Sequence, residues 1–334
     1  MNSPPMTTTK RRWYQFSLKT LLLALTLLCL GPGGYVVYEH GRARAQKAAV
    51  EAIEKLGGKV RYDPVRWPAL RQIVRGDSLG NVYWLDLTGI QDVDACLVHL
   101  DGLPGVRRLS LSGKPVTDVD LVRLCGLKSL SGLELDGTQV TDAGLVHLTG
   151  LTRITYVSLN NTQVTDEGLV HLAGLKSLME LELDGTRVTD TGLVHLTGLR
   201  DLRSLSLPNT QVTDAGLTHL AGLNGLAHLW LDNTQVTDAG LVRLAGLTKL
   251  ETLSLEGTEV TDAGLVPLTG LKGLTDLTLT GTQVTDASLV RLGGLTKLQD
   301  LWLDDTKVTD AGVARLQKAL PRCNVFGSGN EGSR

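Results

Sequence analysis

The residues of this chain that are able to do chemistry recur at one interval. His99, His147, His171, His195 and His219 are spaced by 24 residues or a multiple of it. Imidazoles repeated along one side of a regular structure would make a ladder of metal ligands. The same slot also holds Arg123, Arg243 and Arg291, the mark of a solvent position that accepts any polar side chain. Clustered Asp and Glu offer oxygen ligands for calcium, but no glycine-rich ligand loop accompanies them. Cys29, Cys96, Cys125 and Cys323 lack metal or disulfide spacing, so they leave the redox compartment open. No HExxH or P-loop motif occurs. The expectation is a protein that is not an enzyme and uses no metal and no cofactor.

The elements that must position these residues follow from the same interval. Val-Thr-Asp recurs from Val116 to Val308 in steps of 24 residues, and Leu-x-x-Leu-x-Leu-x-x-Thr precedes it, as at Leu250, Leu253, Leu255 and Thr258. The apolar skeleton begins one copy earlier, at Val82, Leu85 and Leu87. Self-similarity with this leucine spacing predicts a solenoid of stacked strand-and-helix coils. Within one coil, Leu133 and Leu135 alternate with Gly132 and Glu134, the period of a strand buried on one face. Thr138 has a hydroxyl suited to bonding the turn backbone, and Val140 turns back inside. Thr141 and Asp142 supply N-cap chemistry for a short helix over Ala143–Leu148. The predicted fold class is α/β: a right-handed solenoid of about ten coils with a parallel sheet on the concave side. Ile90 and Asp92 depart from the Thr and Val of the pattern, as suits a terminal coil, and Lys114 and Pro115 disturb the second.

The pattern L-x-x-L-x-L-x-x-T-x-V-T-D-x-G-L-x-x-L-x-G-L over residues 82–321 resembles bacterial leucine-rich repeat proteins. It lies near the branch of the ribonuclease inhibitor and of the antagonist of mitotic exit network protein. The segment from Arg11 to Leu22, RRWYQFSLKTLL, looks like the N-terminal anchor of planctomycete membrane proteins. The resemblance implies protein binding on the concave sheet and no catalysis.

Residues 20–38 are 19 uncharged residues rich in leucine, long enough as a helix to span ~28 Å of the ~30 Å hydrocarbon layer. Ala43-Arg44-Ala45 resembles a signal cleavage site but lies far from Leu30 among arginines, and Leu28 stands where a lipoprotein needs a small residue before Cys29. The segment is therefore expected to be an uncleaved transmembrane anchor. Lys10, Arg11, Arg12 and Lys19 precede it; Arg42, Arg44 and Lys47 follow. That four-to-three bias leaves the N-terminus inside and the repeats outside the cytoplasm, in a single-pass cell-membrane protein. The organisation expected is a basic segment (1–19), the anchor (20–38), a helical neck and N-terminal cap (39–81), the repeats (82–321), and a C-terminal closure and tail (322–334). In the cap, Ala49, Val50, Ile53 and Leu56 form a helical stripe closed by Gly57-Gly58, and Lys59–Tyr62 reads as a strand. At the far end Val313–Leu320 reads as the last helix, with Pro321, Cys323, Val325 and Phe326 closing the core.

The columns between the buried leucines should face outward. They hold twelve carboxylates, counting Asp305, against one arginine, in a chain whose net charge is only −2. That charge points away from nucleic acid. Aromatic anchors and steering carboxylates are the parts of a protein interface. The expected face comprises Trp84, Asp86, Glu134, Asp136, Tyr156, Glu180, Glu182, Asp184, His228, Trp230, Asp232, Asp300, Trp302 and Asp304. Its partner would be a protein or peptide of basic character. Two other classes fit the repeat: a cytoplasm-facing adaptor like the substrate-reading half of an F-box protein, though no F-box-like segment lies between Tyr38 and Val82, and an envelope protein that self-associates.

Overall fold

A computed structural model of the chain describes residues 41–63 and 81–327. Among them the 24-residue interval becomes a pairing register. Trp84 lies beside Arg108, Leu133 beside Val157, and Asp300 beside Asn324. Eleven strands, from β2 (Val82–Asp86) to β12 (Asn324–Phe326), run parallel in sequence order, and β1 (Lys59–Tyr62) joins β2 antiparallel to complete a twelve-stranded sheet. Strand, turn, short helix and return loop repeat throughout, so the solenoid expected from the leucine spacing is present.

The core is a stack of equivalent side chains. Leu133, Leu135, Val140, Leu145 and Leu148 are fully buried, and so are their counterparts in the following coils up to the last, where Val313 is half-buried. Side-chain alternation along each strand sends the leucines inward and the intervening residues outward. The threonine after each strand does what its chemistry suggested: Thr138, Thr162, Thr186 and Thr210 are buried and donate to the carbonyl of the leucine three residues back at 2.6 Å. One residue earlier the backbone is left-handed in successive coils, at Gly137, Asn161, Gly185, Asn209 and Asn233. Glycine enters that region freely and asparagine or aspartate more readily than other residues. Asp305 (φ 55°) fills this slot in a later coil, so backbone geometry accounts for it.

The helical side is built from very short pieces. In the third coil Thr141 caps an α-helix over Asp142–Leu145, which tightens into a 3-10 turn over Val146–Leu148. Pro267 occupies the His/Arg slot of its coil, and only a 3-10 turn, Pro267–Gly270, forms there. Proline removes the amide that an α-helical bond would use. In the first coil Asp92 caps Val93–Leu97 one residue ahead of the usual position, and Ile90 is buried. Lys114, in the threonine slot of the second coil, instead donates to the carbonyl of Ile90 at 2.8 Å.

A helix covering residues 41–55 places Ala49, Val50 and Ile53 in the same core, with Leu56 packed against it. Gly57 (φ 96°) ends it, and the amide of Gly58 returns to the carbonyl of Ile53 at 2.9 Å, a Schellman closure. The Ala43-Arg44-Ala45 motif is inside this helix. At the other end the last helix is Asp310–Ala319, and Leu316, Leu320 and Cys323 are buried. Pro321 and Phe326, expected to close the core, are exposed instead. Phe326 lies in the outward register of β12, beside Trp302. The anchor expected at 20–38 and the segment 1–19 are outside the described residues. Among the described residues no helix is long and apolar enough to cross a membrane.

Candidate interaction face

Parallel register turns each outward column into a row across the sheet. Glu134, Asp136, Tyr156, Glu182, Asp184, His228, Trp230, Asp232, Asp300 and Trp302 are all half-buried, while Glu180 and Asp304 are exposed. The small residues between them are buried: Ser110, Ser158, Ser206 and Ser254 disappear beneath larger neighbours. Gly132, between Arg108 and Tyr156, is buried too, and a Cβ there would stand 3.2 Å from the Arg108 side chain.

The serines also stitch the carboxylates together. Ser158 Oγ contacts Asp136 Oδ1 at a very short distance and lies 2.9 Å from Glu182 Oε2. Asn160 donates its amide to Asp136 (3.0 Å) and its side-chain nitrogen to Glu182 (2.8 Å). Ser112 donates to the other oxygen of Asp136 at 3.1 Å. Acid and serine alternate from strand to strand here, and the alternation makes a hydrogen-bonded lattice. Asp232 repeats the pattern, contacting Ser254 Oγ and accepting the amide of Glu256 at 2.8 Å.

Asp184 breaks it. The residue 24 positions on is Pro208, which has no amide hydrogen, and Asp184 Oδ1 is the buried side-chain oxygen left without a partner among the described residues. Burial raises the Asp184 carboxyl above its ordinary range, the charges of Glu182, Asp232 and Asp136 add to the rise, and the Ser206 hydroxyl opposes it. Tyr156 is raised strongly, first by burial and then by Glu182, to which its hydroxyl donates at 3.3 Å.

The aromatic residues are partly engaged already. The Arg61 guanidinium stacks 4.4 Å over Trp84, so β1 covers the first of them. Asp86 is held by Thr88 and faces Lys59 of β1 at 3.8 Å. Trp230 stacks on His228, and Trp302 on Phe326, with centroids 6.0 and 5.3 Å apart. Asp300 accepts from Asn324 at 2.8 Å. The acidic middle of the sheet, Glu134 to Asp232, and the aromatic C-terminal part are thus distinct zones. Sequence reading placed these residues in common columns but missed Ser158 and Asn160 as bridges, and Arg61 and Phe326 as covers. The recurring Ser between Glu134 and Glu182 was the available signal.

A second carboxylate array was also missed. Asp118 accepts the amide and hydroxyl of Thr141 at 2.8 and 2.7 Å, and the bond pattern repeats coil by coil up to Asp286 and Thr309. Thr-Asp had been read as a cap and a helix-end charge; the threonine does cap its helix, but the aspartate serves the next coil. Glycine two residues after Asp142, Asp166, Asp190, Asp214, Asp238 and Asp262 leaves room: a Cβ on Gly144, Gly168 or Gly216 would collide with the carboxylate of the preceding coil. For Asp166 and Asp262, burial pushes the carboxyl up, but bonds from Thr189 and Thr285 outweigh it and hold both below the ordinary range.

Residues 246–268 match the family model described as Leucine Rich repeat. No curated protein matches the chain. Among solved structures, internalin C2 of Listeria monocytogenes is 32% identical, with 67% of this chain and 86% of that one covered and a TM-score of 0.49. Another internalin of the same species is 20% identical over 78% and 87%, with a TM-score of 0.51. A leucine-rich repeat protein of Leptospira interrogans is 23% identical over 68% and 56%, with a TM-score of 0.52. At these identities the latter two speak for a shared architecture. With the matched repeat and coils stacked in a 24-residue register, this chain is a leucine-rich repeat protein.

Proposed function

We propose that the chain is a membrane-tethered scaffold that captures a basic protein or peptide on the outward face of its sheet. The observation that carries this reading is the series of Glu134, Asp136, Glu182, Asp184 and Asp232 on every second strand, half-buried yet facing outward, without an arginine or lysine among them. Carboxylates in partly desolvated positions attract cations more strongly than fully solvated ones. Such a row steers a basic segment, while Trp230 and Trp302 offer apolar area for its anchoring. Tethering is supported by the uncharged run at 20–38, and the basic residues flanking it favour repeats outside the cytoplasm.

Reversing the charge of Glu134, Glu182 and Asp184 together should reduce capture of partner in a pull-down from the native membrane fraction, and more so at low salt. Unchanged recovery would refute the acidic face. Protease treatment of intact spheroplasts reads the orientation separately: repeats that survive digestion would place them inside.

A further inference from the structure

The flank where the chain enters each strand has the opposite charge to the sheet face. Lys128, Lys176, Arg200, Lys249, Lys272 and Lys297 are exposed at the two turn positions three and four residues before the strands that start at Gly132, Glu180, Ser204, Thr252, Asp276 and Asp300, with Asp201 the carboxylate among them. At the N-terminal end of this flank the surface dips into an open recess of about 400 Å³ lined by Arg42, Arg107, Arg153, Ser129, Ser131 and Asn81, together with Pro104 and Gly105. Three separate elements bring the guanidinium groups together. Arg42 comes from the helix at 41–55, fixed by Ala49, Val50 and Ile53 in the core; Arg107 and Arg153 come from turns entering strands two coils apart.

Among the described residues the lining contains no carboxylate. Asp63, beyond the lining, pairs with Arg107 at 3.1 Å and orients it. Ser131 donates to the Arg107 carbonyl at 3.0 Å, which fixes the turn. Gly105 lets that turn approach the N-terminal strand closely: a Cβ there would lie 3.3 Å from the Val82 carbonyl. A concavity with polar walls and positive charge, wide enough for a small ion, suits neither an apolar ligand nor a cation. Guanidinium forks match the paired oxygens of tetrahedral oxyanions.

We propose that this recess binds a phosphate group, with Arg153 as a principal ligand and the basic flank raising its local concentration. The proposal is independent of the sheet-face reading. The phosphate has two sources, a soluble phosphate compound or a phospholipid headgroup; Arg42 follows the apolar run 20–38 by only four residues, which brings headgroups within reach of a tethered chain.

The test uses the full-length protein in phosphatidylcholine nanodiscs, titrated calorimetrically with inorganic phosphate at constant ionic strength. Saturable binding is expected, weakened about tenfold or more by Arg153→Glu, in line with loss of a charge-assisted contact. Lys318→Glu makes the same charge change on the last helix, outside the recess and the flank, and should leave the affinity unchanged. Absence of saturable binding, or equal weakening in both variants, overturns the site. Repeating the titration in nanodiscs containing phosphatidylglycerol separates the sources. If native protein loses phosphate affinity there but keeps it in phosphatidylcholine, whose phosphate is balanced by its choline, the site takes lipid phosphate; if affinity is equal in both, it takes a soluble one.

Discussion

Two arrays of carboxylates follow the repeat of this molecule, and they have opposite fates. On the turn that leads into each helix, Asp118, Asp142, Asp166 and their successors accept the amide and hydroxyl of a threonine in the next coil. On the sheet face, Asp136 and Glu182 share Ser158 and Asn160, and one oxygen of Asp184 has no donor at all. Both arrays are carboxylates set by the repeat, one on the turn of every coil and the other in every second coil of the sheet's acidic middle. The difference lies in the groups that the following coil directs at each carboxylate. Where an N–H and an O–H converge, the charge holds coils together; where they are missing, the charge stays available to a partner. Periodic acid residues are therefore not evidence of a binding face until their donors are counted.

Substitutions that exchange the two situations test the contrast. The largest effect is expected from Gly216→Val, whose branched side chain would displace the Asp190 carboxylate and press on Leu193; overpacking with a lost charge-assisted bond should cost about 3 kcal/mol, read as a lower urea midpoint. Asp214→Ala comes next. It removes both bonds to Thr237 and should cost about 2 kcal/mol, with faster exchange of the Thr237 amide.

The sheet face should respond in the other direction. Asp184→Asn removes a carboxylate that burial disfavours and should be neutral or stabilising by about 1 kcal/mol at neutral pH. Because its folded pKa is raised, Asp184 favours folding below its unfolded value, and that contribution is lost as pH rises through the folded value. The advantage of Asp184→Asn should thus be absent near pH 3 and grow toward neutrality. The ladder residues Asp166 and Asp262 are lowered, so their contribution is intact above the unfolded value and disappears as pH falls through the folded one. A variant advantage that is flat with pH would remove the distinction. The smallest effect belongs to Pro208→Ala, which restores an amide facing Asp184. A fall in the Asp184 pKa by NMR titration is expected, with a stability change below about 1 kcal/mol because the freer unfolded chain offsets the new bond.

Much of the architecture could be read from residue types because one local rule is repeated ten times. Leu133 and Leu135 had to face inward, Thr138 had a single nearby carbonyl to bond, and Gly57-Gly58 had to end a helix. The ends of the chain were harder to read. Phe326 has the composition of a core residue, yet it stacks outside on Trp302 because strand register, not hydrophobicity, sets its side of the sheet. Trp84 looked like an open anchor, but β1 folds back antiparallel and lays Arg61 over it. The recess of Arg42, Arg107 and Arg153 draws on residues more than 100 positions apart, so no spacing announced it.

The sequence by itself determined the coil: its period, its inward leucines, its capping threonine and the columns shared by equivalent residues. Those properties depend on neighbours within about 24 positions and on the periodicity of strands and helices. Only the tertiary structure decided which carboxylates are satisfied, which serines vanish beneath their neighbours, and which aromatics are covered. These outcomes depend on the donor, the missing donor or the side chain that a different coil happens to present, and stacking alone brings those groups within hydrogen-bond reach.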